Sequence, residues 1–507
     1  MSHVNYKSED FDKQGREGLL ELFDERGIGI FYHITMIKEI PIPKFQSYLL
    51  SSYFRIVYHI KTIKPTRPSY PGDMYYYDYS KAVYLPNAET FFTELIKKWW
   101  KDKYLSIKKD HVFDDLRAST YIDRDDLNLD SKYIAVANGM LVIEQIDNNW
   151  TLKIVKNSPE YFVINRIPVK YDPRKKCPKL IKFLNSSLPD QQREIIWIQQ
   201  YTGYILYRNW PFDMVMQWIG DGDNGKTTLM NIIEHFLGIE NTTSISLQNV
   251  CHGRWYKAEM VGKLVNLKDD LSDEDLKSTG DFKEVTGGRK QVLAERKFKD
   301  PFWFWPTTKH IFAGNQIPFS PDNTQGFHRR WIPIDWREQF IDGDPRRDPF
   351  LEEKLMMPEE MSGMLNWALE GLITILNNRG FTDVPSWESR RARWEAKSNP
   401  VSAFIYDEEY VSWGHEIHYR IDQFNVDLAD YCKEKKLPHW NPIRIGRMIS
   451  KLFRYEITKK YVFIDDEDRQ INCYSGICAK RYAPATAQEE DNFREQQAEN
   501  MREETEI

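Results

Sequence analysis

The stretch "GDGDNGKTTL", residues 220–229, holds the residues of this sequence best suited to bind phosphate. It satisfies two patterns at once. Gly220, Gly222 and Gly225 spell the G-x-G-x-x-G of a dinucleotide fold, while Gly220, Gly225, Lys226 and Thr227 spell the G-x-x-x-x-G-K-T of a P-loop nucleotidase. A dinucleotide fold needs an acid about twenty residues on, at the end of a second strand, to hold the ribose. Glu240 has that spacing but follows "IIEHFLG", which reads as a helix closed by Gly238, so no strand presents it. Lys226 and Thr227 favour the P-loop, which needs a cation for the outer phosphates and a hydroxyl for Mg²⁺. ATP is the expected nucleotide, cradled by Gly220, Asp221, Gly222, Asp223, Asn224, Gly225, Lys226, Thr227 and Thr228.

Further polar residues follow apolar runs. "KLVNL" leads into Asp269 and Asp270, one carboxylate to steady Mg²⁺ with Thr227 and the next to polarise a water. "FAGNQIP" ends on Asn315, suited to orient that water. In "GFHRRW", Arg329 and Arg330 precede the run WIPIDW, where a guanidinium stabilises transition-state charge, commonly on a neighbouring subunit's nucleotide; a surface salt bridge is the competing account.

Two basic segments suit nucleic acid. "TGGRKQVLAERKFKDPFWFWP" carries Arg289, Lys290, Arg296, Lys297 and Lys299 against Glu295 and Asp300, and reads as a hairpin gripping phosphates in a ring channel. In "NPIRIGRMISKLFR", Arg444, Arg447, Lys451 and Arg454 share one helical face and Ile445, Ile449 and Leu452 another, the layout of a helix that reads duplex DNA. Trp99 and Trp100 read as core on an amphipathic helix rather than as stacking platforms. Asp123, Asp125, Asp126 and Asp130 read as an exposed acidic loop, lacking the strand pair and His of a polymerase metal site.

The elements that must position these residues alternate. Apolar strands (DMVMQWIG, KLVNLKDD, KHIFAGN, WIPIDW) and helical stretches over 210–395 predict a parallel sheet covered by helices, closed by a helical lid, "EEMSGMLNWALEGLITILNN". Before it, residues 61–209 read as mixed α/β with an Asn-Gly turn in "VANGMLVI"; residues 1–60 have no assigned role. After it, residues 396–483 give helix, helix, hairpin, the order of a winged helix, and 484–507 form a polar tail.

The order of motifs, "GDGDNGKTT", "KLVNLKDD", "VTGGRKQVLAERKFK", "FAGNQIP" and "GFHRRW", resembles the superfamily-3 helicases, and more narrowly the primase-helicases of phages, plasmids and large DNA viruses. Flanking segments "IPVKYDPRKKCPKLIKFL", "YTGYILY" and "SNPVSAFI" extend the similarity over about residues 60–483. The resemblance implies an α/β AAA+ core with a mixed α/β amino-terminal domain and a winged helix. It implies a ring, usually a hexamer, that hydrolyses ATP with Mg²⁺ and moves along single-stranded DNA 3′ to 5′, with duplex DNA at the winged helix and separate primase or replication proteins as partners. Catalytic roles carry over to Lys226, Asp269, Asp270 and Asn315, with Arg330 the better match to the finger and Arg329 the fallback. Relatives often have Glu in the acidic pair, so Glu274 is a substitute for Asp270. The amino-terminal part is too short for a primase domain, and no primer synthesis is expected. An initiator that binds origins without unwinding is the alternative, and an NTPase acting as an assembly scaffold is a third.

Bulk properties agree with these readings. A chain of 507 residues suggests about three or four domains. With 41% hydrophobic and 29% charged residues and a net charge of −6, it is a globular composition in which any basic grip on DNA must be local. Cys177, Cys251, Cys432, Cys473 and Cys478 lack zinc-ribbon spacing, and no stretch of roughly 18 uncharged apolar residues exists to span a membrane, so a cytoplasmic protein of the host cell is expected.

Overall fold

The computed structural model describes residues 5–37, 40–65, 72–101, 108–123, 131–272, 274–297, 301–435, 437–453, 456–463 and 470–482. It is a mixed α/β chain with three large apolar clusters. The first gathers helices Ser8–Arg26, Ser47–Tyr58, Ala88–Trp100 and Lys109–Thr120 around Phe11, Phe54, Phe92 and Trp100, with Phe54 stacked on Phe92 at 4.2 Å. Its apolar residues lie between positions 11 and 116, so the cluster crosses the boundary expected near residue 60. Trp100 is buried in it.

A three-stranded antiparallel meander follows, Tyr133–Val136, Gly139–Ile146 and Asn149–Val155. The expected Asn-Gly turn is displaced by one residue, since Gly139 already pairs with Val136. The two left-handed residues that suit a type I′ hairpin are instead Asp147 (φ 49°) and Asn148 (φ 66°).

The largest cluster surrounds a five-stranded sheet, whose strands are labelled β1 (Val215–Ile219), β2 (Thr242–Thr243), β3 (Val265–Lys268), β4 (Lys309–Gly314) and β5 (Trp331–Asp335). Every pairing is parallel and the order is β2-β3-β4-β1-β5. Parallel strands are covered on both faces, which is why β1 and β4 are buried along their whole length. Edge strand β5 is clipped by helix Trp387–Ser398. From this helix Arg390 donates to the carbonyls of Arg329 (2.8 Å) and Trp331 (2.9 Å), and Arg393 reaches Asp335 at 2.5 Å and Gln217 at 3.0 Å.

Helix Gln192–Leu206 lies against the expected lid helix, Pro358–Asn378. Glycines let the backbones touch. A Cβ on Gly203 would sit 2.1 Å from Ala368 O, and one on Gly371 would sit 2.6 Å from Gln199 O.

In the carboxy-terminal part the expected helix, helix, hairpin is present as Ile421–Glu434, Pro442–Leu452, and strands Thr458–Phe463 and Gln470–Ala479. A strand that the sequence reading missed, Val411–Arg420, completes a three-stranded antiparallel sheet beside Gln470–Ala479. Its apolar residues Val411, Trp413, Ile417 and Tyr419 fall on alternate positions, but Gly414 and His415 interrupt the pattern where the pairing register shifts between Trp413 and His418. Among the described residues no helix is long and apolar enough to cross a membrane.

Gly203→Ala forces the two helices apart and costs about 1–3 kcal/mol, as overpacking does. Gly29→Ala, where nothing lies within 4 Å of the added carbon, is the matched control. Thermal unfolding followed by circular dichroism should show an earlier first transition for the former alone.

Candidate functional site

Strand β1 ends at Ile219, and the glycine loop carries the chain straight into helix Lys226–Leu237. Gly220 is required by space, because a Cβ there would lie 2.3 Å from Trp336 O and 2.6 Å from Asn224 Nδ2. Gly225 is required by conformation, with φ at 87° where the loop caps the helix. Asp223 also takes a left-handed φ of 57°, and its carbonyl accepts the Phe340 N–H at 2.6 Å, tying the loop to the chain beyond β5.

Lys226 turns back into this loop. Its side chain donates to Gly220 O (2.7 Å), Asp221 O (2.9 Å) and Asn224 Oδ1 (2.8 Å), leaving the residue 6% exposed. Asn224 is oriented by its own donor, which bonds Asp221 O at 2.5 Å and Trp336 O at 3.4 Å. Burial lowers the ammonium pKa to about 8, with Asp221 opposing the shift. The three acceptors form a seat that phosphate oxygens can replace. Thr227 is exposed and Thr228 half-buried in the first helical turn, where backbone N–H groups lack intrahelical partners.

Strand register brings the other polar residues to the same edge. Ile219 pairs with Gly314, so Gly220 and Asn315 are neighbours one step beyond, and Gly220 N donates to Gly314 O at 3.2 Å. Lys268 pairs with Phe312 and Leu271 N donates to Ala313 O at 2.8 Å, which sets Asp269 and Asp270 beside the end of β4. Asp269, Asp270 and Asn315 are all exposed. Glu274, also exposed, lies in the segment after β3, and its carbonyl accepts from Gln248 at 3.0 Å. An exposed hydroxyl and two exposed carboxylates beside the glycine loop are hard oxygen donors of the kind Mg²⁺ takes, so these residues fit a metal-bound triphosphate. Glu240 does not fit a ribose, because it lies in the turn Ile239–Asn241 before β2 rather than after it.

Arg329 and Arg330 lie at the opposite, amino-terminal edge of the sheet. Arg330 O accepts from Val215 N at 2.6 Å where β1 begins. Five residues of strand at about 3.3 Å each separate the two edges by roughly 16 Å, so neither arginine serves the loop of its own chain. The pair also differs in freedom. Arg330, taken above as the better finger, has its side chain 7% exposed and donates to Thr286 Oγ1 (2.8 Å), Lys283 O (3.1 Å) and Gly326 O. Arg329 is 41% exposed and pairs with Asp213 at 2.5 Å.

The expected basic hairpin is a two-stranded ribbon, Val292–Ala294 against Phe302–Phe304. Arg289 and Lys290 are exposed just before it; Arg296 stacks on Phe302 at 4.8 Å and Lys297 is exposed, while Lys299 lies outside the described residues. On helix Pro442–Leu452 the expected basic face is divided. Arg447 and Lys451 line an open groove of about 670 Å³ with Ser450 and Lys459. Arg444 departs from that face. It pairs with Asp275 at 2.8 Å and covers the Trp440 ring at 3.7 Å, docking the helix on the segment after β3; Arg454 lies outside the described residues. Of the acidic loop, Asp123 pairs with Lys64 at 2.8 Å and the other three aspartates lie outside the described residues. Asp213 escaped the sequence reading and had no signal there; Asn224 was read as a loop residue, but its hold on Lys226 was not foreseen.

Residues 218–330 match a family of unknown function (DUF5906), and residues 67–189 match a family described as D5 N terminal like. A protein named as a candidate helicase, 184R, of Invertebrate iridescent virus 6 is 28% identical over 197 residues, 35% of this chain and 20% of that protein. A candidate primase, C962R, of African swine fever virus is 28% identical over 130 residues, 25% of this chain and 13% of that protein. The chain therefore spans a fifth or less of the length of these relatives. The apo structure of the NrS-1 C-terminal region aligns with 82% of this chain and 96% of its own at 11% identity, with a TM-score of 0.43. The family and relative matches make the chain similar to helicase and primase proteins of large DNA viruses.

The lowered pKa of Lys226 has a measurable sign. Folding disfavours its proton, so stability rises as pH climbs from about 8 toward the ordinary lysine value. Triphosphate favours the ammonium, so binding takes up a proton above pH 8 and affinity falls there by up to about tenfold per pH unit. Titrating a non-hydrolysable ATP analogue between pH 7 and 9.5 should show this decline, and Lys226→Arg, whose guanidinium keeps its charge, should flatten it.

Proposed function

We propose that this relative of the viral primase-helicases is a ring-forming ATP hydrolase that moves along single-stranded DNA, a helicase of DNA replication. The single observation that carries the reading is the polarity of the central sheet. The glycine loop, the acidic pair and Asn315 share its carboxyl-terminal edge, while the arginines sit at the other. A subunit built this way can complete its neighbour's site but not its own, which favours a closed ring, by resemblance a hexamer.

In this reading the sheet is the core of an AAA+ P-loop domain. Lys226 exchanges its loop carbonyls for the outer phosphates, and the loop and first-turn N–H groups hold the remaining oxygens. Thr227 and Asp269 would hold Mg²⁺, which when bound neutralises charge on the phosphates. Asp270 polarises the attacking water and Asn315 orients it. Arg329 of one subunit faces the phosphate chain of the next, because Arg330 is committed to Thr286, Lys283 and Gly326. Arg296, Lys297 and Lys299 grip the strand in the channel, and a carboxy-terminal winged helix presents Arg447 and Lys451 to duplex DNA. That groove also favours a second reading, an origin-binding initiator that hydrolyses ATP without unwinding. A forked substrate separates the two, since only a helicase displaces the strand, and a 3′ to 5′ motor needs the 3′ tail.

Lys226→Ala lowers hydrolysis about 100-fold or more, on the scale of losing one preorganised charge stabiliser. Arg329→Ala spares nucleotide binding and lowers hydrolysis comparably. Mixing the two inactive proteins restores activity, because some interfaces then pair an intact loop with an intact arginine; steady-state ATPase assays across mixing ratios check this.

Removing two hairpin cations, Arg296→Ala with Lys297→Ala, makes the salt dependence of single-stranded DNA binding shallower. The slope of log affinity against log salt drops by about 1.4, or roughly 0.7 per phosphate contact. Fluorescence anisotropy at several salt concentrations measures it.

A further inference from the structure

One carboxylate receives three guanidinium groups. Asp213 Oδ2 lies 2.5 Å from Arg329 Nη2, 3.6 Å from Arg330 Nη2 and 3.7 Å from Arg289 Nη2, and the Asp213 side chain is 6% exposed. Its other oxygen, Oδ1, is buried and has no hydrogen-bond partner. Three guanidinium groups around one buried carboxylate leave positive charge in excess, so they compete for it.

The competitors differ in how firmly they are held. Arg330 is fixed by three donor contacts to its own subunit. Arg329 and Arg289 have side chains 41% and 72% exposed, and the direct hydrogen bond of the two goes to Arg329. They also come from segments with different tasks. Arg329 leads into β5, whereas Arg289 leads into the hairpin strand Val292–Ala294. The hairpin base is seated on the same short stretch as the carboxylate. Gly288, with φ at 59°, lies so close to Trp210 that a Cβ would be 2.3 Å from the Trp210 Cβ. Trp210 is buried, stacks on His310 and precedes Asp213 by three residues. A pull on the hairpin is therefore transmitted to the segment that bears Asp213.

We propose that Asp213 is a positioning residue that couples the DNA-gripping hairpin to the trans-acting arginine, by exchanging Arg329 for Arg289. With the hairpin at rest, Asp213 holds Arg329 back on its own subunit. When a bound strand shifts the hairpin, Arg289 closes the 3.7 Å gap, takes the carboxylate and releases Arg329 toward the neighbouring subunit's phosphates. DNA then stimulates hydrolysis without touching the nucleotide site. The exchange makes Arg289 part of the coupling device, distinct from the phosphate-gripping cations farther along the hairpin. It rests on the ring-helicase reading above.

The test compares hydrolysis with and without single-stranded DNA in wild type, Asp213→Asn, Asp213→Glu and Arg289→Met, together with the salt slope of DNA binding. Asp213→Asn should bring the stimulation ratio near unity, and Asp213→Glu should recover much of it. Arg289→Met, an exposed change that leaves the core intact, should lower the ratio while keeping the wild-type salt slope. It decides the matter if Asp213→Asn does not fold. An Asp213→Asn protein stimulated as strongly as wild type overturns the coupling alone. So does an Arg289→Met protein that keeps its stimulation or whose salt slope is shallower by about 0.7, the value for a lost phosphate contact. A wild-type chain whose hydrolysis ignores DNA overturns the coupling and the helicase reading together.

Discussion

The parallel direction of five strands is the constraint on which the rest depends. In a parallel sheet all carboxyl ends emerge on one side, so residues distant in sequence gather there without any loop having to travel. Gly220, Asp270 and Asn315 follow three adjacent strands and become neighbours through register alone. The same rule sends Arg329 and the base of the basic hairpin to the other side. In the proposed reading, a site shared between subunits follows from one chain whose complementary halves face away from each other.

Lys226 shows how the loop persists before any phosphate arrives. With Lys226 only 6% exposed, its ammonium loses much of its hydration, and two carbonyls and one amide oxygen stand in for the missing water. Compensation is incomplete, as the pKa near 8 records. The imbalance favours any ligand that brings full negative charge, and in the proposed reading a triphosphate would displace the three oxygens that hold the lysine.

Contiguous features were legible in the sequence, and features made by distant residues were not. The loop, the strand before it and the helix after it occupy one run, and each obeys a local rule of conformation or charge. The basic hairpin was visible because its cations and aromatics alternate within one segment. The carboxy-terminal order of elements was visible too, but Val411–Arg420 was not, since its burial comes from a partner strand some sixty positions later. Helical spacing placed Arg444 with Arg447 and Lys451, yet tertiary context turned it to Asp275 and the Trp440 ring, because a long side chain at a domain contact goes to the nearest carboxylate and aromatic face. The resemblance ranked Arg330 above Arg329 by position alone. The contacts of Arg330 to Thr286, Lys283 and Gly326, and the greater exposure of Arg329, set them apart.

The glycine contact between helices Gln192–Leu206 and Pro358–Asn378 has a consequence for how the molecule can be divided. One helix precedes the central sheet and the other follows it, so their seam closes the polypeptide around the sheet like a buckle. Tyr201, Tyr204 and Ile198 on the first helix are buried in the same cluster as Met364, Leu365 and Leu372 on the second. A piece beginning at residue 210 would leave this apolar seam open to water at a cost of about 1.5–3 kcal/mol for each large side chain. Because Ile134, Val136, Leu141, Ile143, Ile167 and Val169 are buried in that cluster too, the smallest autonomous unit around the sheet starts farther upstream, near Tyr133, and ends near Ser398.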